Sequence, residues 1–142
     1  MTQREQQDRL RVLAEVVDGL AFLTPMNESP PPLPEQQEIT VELLCGGRRQ
    51  QRLVIALGAG LGRCLAANMG GVMDPAEVTP EDACEAALEL ANVVAGKMAA
   101  FSTGSDGQAV SLPRIIPALT LDPEQSCCLT LAEGTVALSW AS

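Results

Sequence analysis

An α+β domain, with helices layered on a mostly antiparallel sheet, is the fold class the sequence predicts, and three patterns carry that expectation. Residues 79–101, TPEDACEAALELANVVAGKMAAF, have the composition of one helix that is apolar almost all round. Residues 39–45 and 53–57 alternate in polarity on either side of a Gly-Gly and a polar run, as an antiparallel hairpin does. A second alternating pair, at 127–132 and 136–140, closes the chain. At 142 residues and 46% hydrophobic, the chain is expected to be a single domain with a real core, spanning 1–142. Its parts are an N-terminal helix in 1–24, a proline-rich connector at 25–37 and an α+β core over 38–141.

In chain order, Leu10, Leu13, Val17 and Leu20 recur at helical spacing, with Val12 and Val16 widening the stripe, so residues 3–23 read as an amphipathic helix. The proline triplet Pro30-Pro31-Pro32 then forbids helix and favours an extended connector. Ile39, Val41, Leu43 and Cys45 pair in pattern with Leu53, Ile55 and Leu57, giving a hairpin with one buried face and Arg48, Arg49 and Arg52 at a solvated tip. Residues 59–69 form a short helix closed by Gly70-Gly71. Gly58, Gly60 and Gly62 suggest a dinucleotide loop, but Arg63 stands where the fingerprint needs its third glycine. Asp74-Pro75-Ala76-Glu77 reads as a capped single turn. Thr79 then caps the long helix, Pro80 suits its first position, and Glu81 and Asp82 sit near its positive end. Gly104 to Gly107 end that helix. Residues 108–112 can form a strand, Pro113 and Pro117 bound an irregular crossing, and Glu133-Gly134 is a candidate two-residue turn before the last strand.

Composition excludes several functions. There are two Phe, one Trp and no Tyr, too few rings for a base-stacking platform, and the net charge of −9 opposes nucleic acid and anionic membranes. Without histidine the commonest general base and metal ligand is missing. The five cysteines lack zinc spacing and are expected to be reduced and mostly packed, so no metal is expected. The first ten residues, MTQREQQDRL, mix acids and bases, and no apolar run is long enough to span a bilayer, so the expected location is cytoplasmic.

The polar stripe of the long helix is the candidate working surface. At about 100° per residue, Glu81, Glu85, Glu89, Asn92 and Gly96 fall within roughly 80° of one another. An asparagine in mid-helix is mildly unfavourable, so Asn92 calls for a reason beyond the helix itself. The run Glu89-Leu90-Ala91-Asn92-Val93-Val94-Ala95-Gly96-Lys97 resembles the signature helix of the CheC/CheX family of chemotaxis phosphatases, which carries a Glu-x-x-Asn pair followed by a helix glycine. The order of elements is similar too, and the resemblance covers residues 38–140. It implies dephosphorylation of a phosphorylated CheY-like response regulator, with Asn92 orienting the attacking water and Glu89 pairing with the regulator's active-site lysine. It also implies Mg²⁺ held by the regulator, with no cofactor on this chain, and a homodimer. Glu81, Glu85 and Gly96 would contribute to partner binding. Many members carry Asp or Ser where this chain has Glu85, and the family's later proline matches either Pro113 or Pro117.

Two rival readings share the fold. A non-catalytic adaptor would dock a receiver domain, or serve in an assembly, through the same acidic stripe. A self-associating structural domain would pair through sheet edges, and the hairpin strands together with the last strand, 135–140, alternate well and carry few charges.

Overall fold

The structure, a computed structural model, describes residues 3–21, 23, 25–27, 38–46, 51–71, 74–103 and 109–141. The chain runs α1 (Gln3–Ala21), β1 (Pro25–Asn27), β2 (Ile39–Gly46), β3 (Gln51–Leu57), α2 (Ala59–Gly70), α3 (Pro80–Thr103), β4 (Ala109–Val110), β5 (Arg114–Ile116), β6 (Ser126–Leu131) and β7 (Gly134–Ala141). Single 3₁₀ turns stand at Pro75–Glu77 and Pro123–Gln125. Among the described residues the sheet has seven strands in the order β1-β6-β7-β3-β2-β4, with β5 also beside β2, and every pairing is antiparallel. This is the α+β architecture the alternating segments predict.

Strand alternation decides what each sheet face buries. Ile39, Val41, Leu43, Leu53, Ile55, Leu57, Leu129 and Leu138 point to one face and are sealed by the three helices. From α1 the buried residues are Leu10, Val12, Leu13, Val16 and Val17, the stripe that its periodicity marks. Helix α2 crosses α3 closely at Gly62, where an added Cβ would lie 3.3 Å from that of Ala83. Gly71, at φ 72°, ends α2 in the left-handed conformation, and its N–H donates to the Ala67 carbonyl.

Several expectations are corrected. The hairpin is buried on both faces rather than one: Val54, Ala56, Cys128 and Ala137 form a second cluster beneath Leu121, with Leu119 beside it. Arg52 lies in β3 rather than in a loop and pairs with Glu42, while Arg48 and Arg49 fall outside the described residues. Within the supposed connector, Pro25–Asn27 forms β1 against β6; residues 28–37 lie outside the described residues. Between Pro113 and Pro117 the chain is a strand, β5, whose three residues pair with Thr40, Val41 and Glu42. The last turn is Ala132-Glu133, because Gly134 already pairs with Leu131. Gly104 to Gly107 lie outside the described residues. The largest correction concerns sheet edges. β7 lies between β6 and β3, and β3 between β7 and β2, while β2 carries β4 and β5 on its far side. The strands expected to form edges are therefore internal, and their low charge reflects burial on both faces.

Candidate functional site

Helix α3 begins as its sequence dictates. The Thr79 hydroxyl accepts from the Asp82 backbone N–H at 3.1 Å, and Glu81 and Asp82 lie in the first turn. Its sheetward side is Ala83, Ala86, Ala87, Leu90, Ala91, Val94, Ala95 and Met98, all buried. Alanines at so many of these positions let the helix approach the sheet and α2 closely. The shoulders are Cys84, Leu88 and Val93, each half-buried, so Leu88 and Val93 are less enclosed than Leu90 and Val94.

The opposite side carries the stripe. Glu81, Glu85, Glu89, Asn92 and Gly96 are all exposed, and they line one face in the order the helical period gives. Among the described residues, no hydrogen bond or ion pair engages the side chains of Glu81, Glu85, Glu89 or Asn92. Asn92 therefore neither caps a helix nor bonds across the fold, and its amide is free to donate and accept at once. Glu89 and Asn92, three residues apart on a helix whose other side is packed, are aimed the same way and held there. A Cβ built on Gly96 would meet nothing within 4 Å, so packing within this chain does not require a glycine there. No group of three or more potential metal ligands converges among the described residues. None of the described helices is long and apolar enough to cross a membrane.

A second polar cluster has no counterpart in the sequence reading. The Glu42 carboxylate is buried in the outer sheet face and bridges Arg52 of β3 and Arg114 of β5, with Arg114 Nη2 2.7 Å from Oε1. The hydrogen bond from Arg114, reinforced by Arg52 and opposed by burial, holds the carboxyl below the usual carboxylate range. The available signal was an acid in mid-strand between apolar neighbours, Val41 and Leu43. Its partner Arg114 lies 72 residues away in a strand that the prolines obscured.

The fold is of the CheX/CheC-like kind. Among solved structures it is similar to the chemotaxis protein CheX from Desulfovibrio desulfuricans, with a TM-score of 0.73 at 13% identity, covering 96% of this chain and 98% of that one. It is likewise similar to a CheC-like superfamily protein from Shewanella sp. PV-4, with a TM-score of 0.70 at 15% identity over the full length of both. A third similar structure is CheX in the CheX–CheY–BeF3–Mg²⁺ complex from Borrelia burgdorferi, with a TM-score of 0.64 at 12% identity over 96% of each chain. Neither protein-family models nor curated proteins give a match to the sequence. At these identities the likeness is one of fold, and it is the fold expected from the ELAN run.

Proposed function

We propose that this protein is a phosphatase for a phosphorylated CheY-like receiver domain, hydrolysing the aspartyl phosphate with Glu89 and Asn92. The observation that carries the reading is the pair itself: a carboxylate and an amide, exposed on one face of a buried helix and unbonded among the described residues, in a CheX/CheC-like fold. One structure of that fold is solved together with CheY, which supports a receiver domain as the partner. The Asn92 amide accepts from and donates to the attacking water and aims it at phosphorus. Glu89 takes a charge-assisted contact from a lysine of the receiver. Phosphoryl transfer needs little covalent assistance, so positioning and electrostatics suffice. The receiver brings its own Mg²⁺, and the chain needs no cofactor of its own. Glu81 and Glu85 extend the docking surface toward the start of α3, and Gly96 leaves space for the partner's backbone. The reaction takes place in the cytoplasm.

We also propose a homodimer. Since the strands first expected to pair are internal, we assign it to the β4–β5 edge of the sheet rather than to β1 at the opposite end.

The deciding experiment follows the decay of a phosphorylated receiver with and without this protein. Accelerated decay that Asn92→Ala abolishes supports the phosphatase. Binding of the phosphorylated receiver with no change in its lifetime replaces it with the adaptor reading, in which the acidic stripe only docks.

A further inference from the structure

The segment joining β5 to β6 takes an unusual path. β5 lies beside β2, whereas β6 lies beyond β3 and β7, so residues 117–125 cross the outer face of the sheet. Leu121 is buried there and Leu119 half-buried, against Val54 and Ala56 of β3, Ala137 of β7 and Cys128 of β6. Most of the crossing is otherwise exposed. Its fixed points are few. Ser111 exchanges two bonds with Leu44, its N–H donating to the carbonyl at 2.8 Å and its hydroxyl accepting the N–H at 2.8 Å. β5 adds three register pairs, and Arg114 adds its ion pair with Glu42.

The helical layer on the other face is held by buried residues from all three helices, whereas the crossing contributes one fully buried leucine. Units with so little buried apolar contact open at a lower free energy than the whole fold. We propose that residues 111–122 are a strap that opens as a unit, ahead of global unfolding, its strand β5 peeling from β2 as its crossing lifts from the outer sheet face, with the Glu42–Arg114 pair as its latch. Opening uncovers a strip of small apolar residues, Val54, Ala56 and Ala137, and the Cys128 thiol.

The vicinal cysteines provide an internal comparison. Cys127 faces the helical layer, near Arg9 of α1, and Cys128 faces the strap. Burial pushes the Cys127 thiol up to about 12 and the Cys128 thiol up to about 11, so neither offers a reactive thiolate near neutral pH while covered. Lifting the strap exposes only the second.

The test is pulsed labelling of the full chain with N-ethylmaleimide near neutral pH, read by fragment mass spectrometry that distinguishes the adjacent residues. Cys128 is expected to label roughly ten-fold or more faster than Cys127. Arg114→Gln, which removes a side chain that is exposed but is one partner of the buried Glu42 carboxylate, should raise the Cys128 rate several-fold, with Cys128 still labelling ahead of Cys127. Leu121→Ala should do the same by loosening the strap's other attachment. Labelling of both cysteines at one rate, in wild type and variants alike, would mean that the outer face opens only with global unfolding and would overturn the strap. A Cys128 rate indifferent to Arg114→Gln but raised by Leu121→Ala would overturn the latch.

Discussion

In the proposed reaction, the contacts of Asn92 and Glu89 would count at different stages. A water-positioning amide matters as the nucleophile approaches phosphorus, whereas a carboxylate paired with a lysine acts in the bound ground state as well. Asn92→Ala should therefore leave receiver binding nearly unchanged and slow dephosphorylation about ten-fold or more, each 1.36 kcal/mol of lost transition-state stabilisation being about ten-fold. Glu89→Ala should weaken binding as well as turnover, and the binding defect should fade at high salt. Titration of receiver binding alongside single-turnover decay separates the two, and an Asn92→Ala protein as fast as an active wild type would remove Asn92 from the chemistry. At Glu42 the readout is acid stability. Its folded pKa is depressed, so its stabilising contribution is complete above the unfolded carboxylate value of about 4.3 and is lost as pH falls through the lower folded value. Urea midpoints of wild type and Glu42→Gln should accordingly differ at neutral pH and converge below about pH 4; a constant gap would show that the ion pairs are not its source. The exposed place of Asn92 on α3 was legible in the sequence, because the helical period sets it opposite the apolar side. Glu42 was not, because its burial depends on Arg52 and Arg114 meeting it from two neighbouring strands.

At the scale of elements, the proposed docking role of α3 sets stability against use at Gly96. Gly96 is exposed in the helix with open space where a Cβ would stand. Exchange for alanine relieves a backbone-entropy penalty of roughly 0.5–1 kcal/mol without a clash in this chain. Gly96→Ala should thus raise the urea midpoint while, if the proposed docking holds, slowing receiver dephosphorylation, because a methyl group would stand where the partner's backbone would approach. A variant that is both more stable and fully active would leave Gly96 with no role at the docking face. The longer elements were readable because each carries enough periods to fix its type: α1, β2, β3, α2, α3, β6 and β7 all lie close to their expected spans. β1 and β5 have three residues each, and prolines at Pro25, Pro113 and Pro117 start or flank them. Proline is tolerated at strand starts and edges because no ladder N–H is required there. In so short a run the alternation has no room to show, and local signals read as loop.

For the whole molecule, sheet order decides how copies can meet. A strand pairs with another chain only where its backbone groups lack neighbours, which rules out β7, β3 and β2 however regular their alternation. Among the described residues β5 pairs with β2 alone, and beside it lie the large apolar side chains with the greatest exposure, Leu112 at 89% and Ile115 at 44%. Ile115 pairs in register with Val41, whose side chain is buried on the helical face, so Ile115 lies on the helix side of an open edge. Two copies joined there antiparallel would continue the sheet and cover both side chains. Such pairing would also hold β5 down, so association should slow the labelling of Cys128 as protein concentration rises. Ile115→Lys places a charge on the edge, a substitution that natural edge strands use against pairing, and its exposure lets the fold accept it. Sedimentation at tens of micromolar should give a dimer for wild type and a monomer for Ile115→Lys, with the far-ultraviolet circular dichroism of the two superimposable. A wild type that sediments as a monomer would sink the dimer, whereas an Ile115→Lys protein that remains dimeric would move the interface off β5; neither result bears on Asn92, whose exposed face lies across α3 from the sheet.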